Sequence, residues 1–299
     1  MSRTILVLGK GSQVARELLN AAWPWDIKPI YVGREIDIEN QELVIGLARS
    51  LRPSLIVNTA AYTAVDKAEN EPDAAFATNF EAVVNIGKAA GICGATVIHM
   101  STDYVFDGTG SAPYTETDAV NPQSVYGRSK RAGESGLAAI GVPHVVLRTS
   151  TIFSQFERSL LQRVLVRQRL QHDLAGVTDR VICPTSATDL ANAIVAIAAA
   201  LPRVGAAGHG IFHFAGQPAT SVFEFITAVV ERAAQLGLAP AQRVRPTVAA
   251  EWPAAAPRPS NGALDCTKVE RVWGIRPQPW RVALDACLQR MAKQTTVAA

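Results

Sequence analysis

The stretch TILVLGKGSQVARE, residues 4–17, decides the fold class of this 299-residue chain. Its first half is a short apolar run rich in β-branched residues, which predicts a strand that ends at Gly9. Val14 and Leu18 follow at helical spacing and predict a helix over residues 12–22. A strand, a glycine loop and a helix in this order are typical of a site that holds a pyrophosphate. A tight strand–helix turn without a ligand is the alternative, and this stretch alone leaves it open.

The alternation of strand and helix continues along the chain. Strands with continuous apolar residues between helices indicate βαβ units and a parallel sheet buried on both faces. We therefore predict an α/β fold, with a Rossmann-like doubly wound parallel sheet in residues 1–150. A smaller mixed α/β part is expected in residues 151–299, some segments of which return to the sheet. Further strands are predicted at 28–33, 54–60, 95–101, 144–150 and 211–216, and helices at 40–51, 72–91, 122–140, 157–170, 188–201, 221–237 and 280–293.

The bulk composition excludes several classes of protein. Hydrophobic residues make up 48% of the chain and charged residues 18%, which is typical of a globular protein and not of a disordered one. A net charge of +3, without a basic run, does not indicate nucleic-acid binding. The four cysteines are scattered, so we expect free thiols and no metal site. The apolar runs at the N-terminus and at 191–201 are too short for a signal peptide or a membrane span, so we expect a cytoplasmic protein.

Residues with catalytic potential follow the predicted strand 95–101. Ser101, Thr102 and Asp103 lie at its carboxyl end, the edge where open parallel sheets bind ligands. Tyr126 and Lys130 are four residues apart on the next helix and therefore share a face. Taken separately, these patterns also fit a capped turn and a surface pair. Their occurrence together, after a glycine loop, favours a catalytic site.

The end of the second predicted strand bears on the cofactor. Sites selective for NAD usually carry an acidic residue there, which binds the ribose hydroxyls. This chain has Gly33 and Arg34, and an arginine can pair with a 2′-phosphate, which favours NADP(H) while leaving NAD(H) open. Asp37 and Ile38 follow, where the adenine would lie. An ordinary surface arginine is the alternative interpretation of Arg34.

Longer segments resemble a known family. The chain is similar to the dTDP-4-dehydrorhamnose reductase family, a group of extended short-chain dehydrogenases/reductases, over nearly its whole length. AAYTAVDKAE (60–69) and STDYVFDG (101–108) are its most specific blocks. The resemblance rests on GKGSQVAREL (9–18), RPSLIVNTAAYTAVDKAENEPDAAFATN (52–79), VIHMSTDYVFDGTGSAPYTETD (97–118), NPQSVYGRSKRAGE (121–134) and VVLRTS (145–150), and more weakly on CPTSATDLA (183–191) and PRPSNGALD (257–265).

This resemblance implies an activity and a set of site residues. The expected reaction is the NADPH-dependent reduction of the 4-keto group of a nucleotide-linked 4-keto-6-deoxysugar, with dTDP as the expected nucleotide, as in dTDP-L-rhamnose biosynthesis. Tyr126 would be the general acid, Lys130 would lower its pKa and hold the nicotinamide ribose, and Thr102 would polarise the ketone oxygen. The substrate would contact Thr102, Asp103, Thr151 and Arg258. The cofactor would contact Gly9, Gly11, Ser12, Gln13, Val14, Arg34, Asp37, Ile38, Ala60, Ala61, Thr63, Tyr126 and Lys130.

Two segments depart from the family pattern. In the glycine loop, Ser12 and Ala15 stand where the family usually has glycines, and the Cβ of Ser12 would crowd a closely bound pyrophosphate. Thr151 stands where the family commonly has a tryptophan that contacts the sugar, which suggests a different 4-keto sugar or a different nucleotide.

These departures keep two further hypotheses open. One is a non-catalytic regulatory subunit that binds NAD(P) or a sugar nucleotide. The other is a sugar-nucleotide epimerase or dehydratase of the same superfamily, which Gly33 and Arg34 disfavour. The resemblance also leaves a homodimer open.

Overall fold

The computed structural model describes residues 2–157, 159–252 and 254–298. Its strands are β1 (Arg3–Leu8), β2 (Ile27–Val32), β3 (Leu55–Asn58), β4 (Thr96–Thr102), β5 (His144–Thr149), β6 (Ile152–Phe153), β7 (Leu174–Val177), β8 (Val181–Ile182), β9 (Thr185–Ser186), β10 (Gly210–His213), β11 (Thr220–Ser221) and β12 (Val244–Thr247). Its helices are α1 (Gln13–Leu18), α2 (Gln41–Leu51), α3 (Val65–Ala68), α4 (Pro72–Phe76), α5 (Ala82–Cys93), α6 (Val125–Ile140), α7 (Leu160–Arg169), α8 (Ala187–Val204), α9 (Val222–Gln235), α10 (Thr267–Trp273) and α11 (Trp280–Ala298).

Six parallel strands form the main sheet, in the order β10–β5–β4–β3–β1–β2. This confirms the predicted Rossmann-like α/β fold. The order of the strands reverses between β1 and β3, and doubly wound sheets bind ligands outside the carboxyl ends of their strands at such a point. The glycine loop follows β1 and therefore lies at this switch point.

The main sheet is buried on both faces, as its continuous apolar strands predict. Ile5 and Val7 of β1 belong to a core that includes one face of α8, while Leu6 and Leu8 belong to a core on the opposite face. By length and composition alone, Ala187–Gly208 is long and apolar enough to cross a membrane. The α8 residues of the core, however, are buried against the sheet, which is the environment of a core helix.

Two predicted helices have different bounds in the structure. The helix predicted at 72–91 is interrupted by a π-helical turn, Ala77–Glu81, between α4 and α5. A Cβ on Gly133 of α6 would lie 2.2 Å from the carbonyl oxygen of Asn79, so the widened turn packs directly on α6. The helix predicted at 12–22 ends at Leu18, whose carbonyl accepts hydrogen bonds from Trp23 and Tyr31.

The chain after residue 150 contributes to two layers. Strand β10 extends the main sheet beside β5, and α8 packs on that sheet. Helices α7, α9 and α11 enclose a separate core around Phe153, Phe225 and Trp280. The division into residues 1–150 and 151–299 stays a prediction, with β10 and α8 as the segments that return to the main sheet.

Candidate active site

The glycine loop turns sharply at Gly9, where φ is +86°. A Cβ at this position would lie 2.5 Å from the backbone nitrogen of Ala60, so the close approach of the loop to the end of β3 requires glycine. A Cβ on Gly11 would meet no heavy atom within 4 Å. The loop is therefore packed on one side and open on the other.

Ser12 fits this loop as the N-cap of α1. Its hydroxyl accepts a hydrogen bond from the Ala15 amide at 3.0 Å and donates one to the Thr59 hydroxyl at 2.8 Å. Its φ of −71° is an ordinary value for any residue. Beside it, Gln13 accepts a hydrogen bond from Ser154 at 2.7 Å, and Val14 is buried in the core of the sheet.

The corner after β2 carries charges of both signs. Arg34 is exposed, and its guanidinium makes no hydrogen bond to a residue that the structure describes. The Glu35 carboxylate accepts a hydrogen bond from the Gly33 amide at 2.8 Å, which lowers the pKa of Glu35. Glu35 was not among the predicted site residues, since it lies three residues beyond β2 and the acidic residue of such sites is expected nearer the strand end. The structure therefore brings both a free cation and a carboxylate to the corner.

The remaining predicted cofactor contacts line the same edge. Asp37 is exposed and accepts a hydrogen bond from the Glu39 amide at 2.9 Å, while Ile38 is half-buried against the core. The Ala60 amide donates to the Asn58 side chain at 3.1 Å. Ala61 is half-buried and Thr63 is exposed, both beyond the carboxyl end of β3.

Thr102 and Tyr126 meet at the carboxyl end of β4. The Thr102 hydroxyl donates to the Asp103 carboxylate at 3.0 Å and accepts from the Tyr104 amide at 3.2 Å. Burial raises the pKa of Tyr126, Asp103 and Tyr104 raise it further, and a hydrogen bond with Thr102 opposes them only in part. The net direction is therefore opposite to the lowering expected from Lys130, because desolvation dominates, and the effect of Lys130 on the phenol stays a prediction.

Lys130 lies on the same face of α6, one turn after Tyr126. Its ammonium donates to the Met100 carbonyl at 2.6 Å and lies 3.4 Å from Nε2 of His99. Burial lowers the pKa of Lys130 to about 8, and the charge of Glu134 acts in the opposite direction. Lys130 is consequently a buried amine that titrates near neutral pH.

Asp103 is a second buried group with a pKa shifted toward neutrality. Its carboxylate accepts from the Ser150 hydroxyl at 2.8 Å and from Thr102, but burial outweighs these bonds and raises its pKa to about 6. Thr151 follows Ser150 directly, and its carbonyl accepts a hydrogen bond from the Thr185 amide at 3.0 Å. Thr151 is thus held next to Ser150, which contacts the carboxylate that the family resemblance assigns to the substrate.

Arg258 reaches this site on a loop that packs on Asp103. A Cβ on Gly262 would lie 2.5 Å from an oxygen of Asp103, so the loop after Arg258 touches the buried carboxylate. Arg258 is paired with Asp66 through two hydrogen bonds of 2.9 and 2.6 Å, which the sequence does not predict. Burial lowers the pKa of the nearby Arg180, and the charge of Arg258 lowers it further. The buried Nε of Arg180 has no hydrogen-bond partner among the described residues.

The pairing of Arg258 with Asp66 could not be predicted from the sequence, because the two residues lie far apart along the chain. Asp66 and Arg258 are 192 residues apart. His99 gives a weak signal, since it is a lone imidazole within an apolar strand. The described cysteines carry free thiols, and no group of three or more described His, Cys, Asp or Glu side chains is arranged to hold a metal ion.

Comparison with known proteins gives one family. The model described as "RmlD substrate binding domain" matches residues 3–293. A dTDP-4-dehydrorhamnose reductase of Sinorhizobium fredii is 39% identical over 281 residues, 92% of this chain and 93% of its own. The crystal structure of a dTDP-4-dehydrorhamnose reductase from Clostridium acetobutylicum has a TM-score of 0.88 and 29% identity, covering 96% of this chain and 99% of its own. A Bacillus anthracis dTDP-4-dehydrorhamnose reductase, solved in complex with NADP, has a TM-score of 0.89 and 24% identity, with 97% and 100% covered.

Proposed function

The chain belongs to the RmlD substrate binding domain family, and on this premise we propose that it is an NADPH-dependent reductase of a nucleotide-linked 4-keto-6-deoxysugar. The expected nucleotide is dTDP, as in the names of its relatives. One observation carries the proposal. The phenol of Tyr126 on α6 is hydrogen-bonded with the hydroxyl of Thr102 at the carboxyl end of β4, and the ammonium of Lys130, one turn further along α6, donates to the Met100 carbonyl of the same strand.

The residues at the loop and at the corner after β2 fit a nicotinamide dinucleotide. Gly11 leaves open space on the side of the loop away from β3, and the free guanidinium of Arg34 suits a 2′-phosphate. The nearby carboxylate of Glu35 suits ribose hydroxyls. This combination supports NADP(H) as the preferred cofactor, with NAD(H) also accepted. When bound, the cofactor supplies hydride to the carbonyl carbon.

Tyr126 would supply the proton that the reduced oxygen needs. Because its pKa is raised, the phenol keeps its proton at neutral pH and can deliver it only as negative charge develops on the ketone oxygen. Thr102 would donate a hydrogen bond to the same oxygen, in place of its present bond to Asp103. The Lys130 ammonium would hold the nicotinamide ribose and stabilise the phenolate left behind. The balance is one hydride and one proton added to the carbonyl.

The substrate would extend from this end toward Arg258. Asp103 and Thr151 would contact the sugar, and Arg258 would face the diphosphate, whose charge it matches. Because Asp66 partly neutralises Arg258, the neighbouring Arg180 would supply an additional positive charge near the mouth of the site. We also infer a cytoplasmic location, and we keep the homodimer as a prediction.

Oxidation of NADPH with a panel of 4-keto-6-deoxysugars on different nucleotides tests this function. The unchanged protein is expected to oxidise NADPH with at least one dTDP-linked member. The Tyr126→Phe variant is expected to lose about 10²–10⁴-fold in kcat, the usual worth of a general acid, and to bind NADPH as before. Retained turnover in this variant would overturn the role of Tyr126. Tight binding without any turnover would favour the regulatory subunit, and firmly held NAD⁺ would favour the epimerase or dehydratase.

A further inference from the structure

The imidazole of His99 lies between two polar side chains inside the main sheet. It is completely buried in β4. Its Nδ1 is 3.1 Å from Nδ2 of Asn58 on β3, and its Nε2 is 3.4 Å from Nζ of Lys130 on α6. The proposed reaction assigns no role to His99, yet this ring is in direct contact with one of the three reactive groups.

The neighbours of His99 determine which ring nitrogen carries the proton. The Asn58 amide is fixed in orientation, because its Oδ1 accepts a hydrogen bond from the Ala60 amide at 3.1 Å. Its Nδ2 therefore faces His99, and an amide nitrogen only donates. Burial, together with the charges of Lys130 and His144, lowers the pKa of His99 well below its ordinary value, so the ring is neutral. A neutral ring that accepts at Nδ1 carries its hydrogen on Nε2, which faces Lys130.

The distances around Lys130 agree with this tautomer. The ammonium lies 2.6 Å from the Met100 carbonyl, a short hydrogen bond, but 3.4 Å from the imidazole. An N–H group cannot accept a hydrogen bond from an ammonium, whereas it can donate one to a neutral amine. His99 thus favours the uncharged form of Lys130 and leaves Met100 as the acceptor.

We propose that His99 is a positioning residue for Lys130: Asn58 holds the imidazole as the Nε2–H tautomer, which directs the ammonium to the Met100 carbonyl and leaves its other hydrogens for the cofactor ribose. The inference rests on the proposed function of Lys130. The Nε2–H tautomer acts in the same direction as desolvation, because both favour the uncharged form of Lys130 and so bring its proton exchange closer to neutral pH. The charge of Glu134, one turn later on α6, acts against this effect, and Tyr126 lies one turn earlier on the same helix face.

Nitrogen-15 NMR of the histidine-labelled full chain tests the tautomer without any turnover. The chain has five histidines, and the resonances of His99 are identified by their loss in a His99→Asn variant. We expect the shifts of a neutral ring with a protonated Nε2 and an unprotonated Nδ1 across neutral pH. A protonated Nδ1, or a charged ring, would overturn the proposal.

Two matched variants test the effect on Lys130. Gln places a carbonyl oxygen near the position of Nε2 and can accept from the ammonium, whereas Asn reaches only the position of Nδ1. We expect the pH at which NADPH affinity falls on the alkaline side to rise by on the order of one unit in His99→Gln, which adds an acceptor, and by clearly less in His99→Asn, which only removes the Nε2–H. Equal behaviour of the two variants would contradict the proposal.

The same experiments separate failure of the inference from failure of the proposed function. If the protein reduces no 4-keto sugar, the proposed function fails, while the tautomer and the pH dependence of NADPH binding still decide the role of His99. If it reduces the sugar but His99 carries its proton on Nδ1, only the inference fails.

Discussion

Helix α6 carries two buried charged side chains one turn apart, and they have opposite surroundings. Glu134 accepts two hydrogen bonds from Arg148, at 2.8 and 2.7 Å, and one from Ser101 at 2.6 Å. Lys130 is equally buried, but no carboxylate of the described residues lies within hydrogen-bonding distance of its ammonium. Glu134 therefore joins the helix to β4 through Ser101 and to β5 through Arg148, whereas Lys130 lies one turn closer to Tyr126.

The pKa values follow this difference. Burial raises the pKa of Glu134, but the hydrogen bonds and charges of Arg148 and its neighbours outweigh burial and lower it overall. Lys130 and Asp103 lack such compensation, so burial shifts their pKa values to about 8 and about 6. A buried group with charged partners therefore stays charged and stabilises the fold. A buried group without such partners has its pKa shifted toward neutrality, where it can exchange its proton.

The largest expected effect comes from breaking the buried ion pair between Arg148 and Glu134. Arg148→Met removes one partner of a buried ion pair and leaves the Glu134 carboxylate without its main donor. We expect a loss of about 3–5 kcal/mol in the free energy of unfolding, measured by urea denaturation at neutral pH.

The matched control for this change removes both charges. The double variant Arg148→Met with Glu134→Leu leaves no uncompensated carboxylate, and we expect it to recover most of the loss. A double variant no more stable than the single one would show that packing of the Arg148 side chain, and not its charge, holds the helix to β5.

A smaller effect is expected when pH is varied through the pKa of the buried Asp103 carboxylate, whose hydrogen bonds do not outweigh its burial. The pKa of Asp103 rises from 3.8 to about 6 on folding, so its contribution to stability is complete below the lower value and is lost as pH rises through the higher one. Relative to an Asp103→Asn variant, the unchanged protein should lose about 2 kcal/mol of unfolding free energy between about pH 4 and pH 7.

Urea denaturation of both proteins across this range measures the difference. The lowered pKa of Glu134 has the opposite sign, with stability present above its ordinary pKa and lost as pH falls, but it is common to both proteins and cancels. Parallel stability curves would mean that Asp103 titrates in the fold as it does in the unfolded chain.

The smallest effect is expected for the exposed pair at the mouth of the site. Asp66 is 49% exposed and its partner Arg258 is 19% exposed, so water screens their attraction. We expect Asp66→Asn to change the unfolding free energy by less than about 1 kcal/mol, and addition of salt to reduce even that difference. A loss as large as that of Arg148→Met would place this pair in the same class as the buried one.

The fold class and the alternation of strands and helices in the main sheet follow from local sequence patterns. The apolar strand of residues 4–9, the glycine loop and the helical spacing after it are local patterns, and their repetition predicts a parallel sheet whichever contacts form later. The four-residue spacing of Tyr126 and Lys130 likewise places both on one helix face. The end of α1 could not be predicted in this way, because the side chains that donate to the carbonyl of its last residue, Trp23 and Tyr31, lie beyond the helix.

Which buried groups are paired depends on contacts between distant parts of the chain. Nothing in the spacing of residues 126–134 distinguishes Lys130 from Glu134, since both lie on the buried face of one helix. Glu134 meets Arg148 of one neighbouring strand and Lys130 meets His99 of another, and these contacts exist only in the folded protein. The same holds for Arg258, whose partner Asp66 lies in the other half of the chain. Desolvation and pairing depend on three-dimensional neighbours, and for that reason the chemistry of the site is a property of the fold.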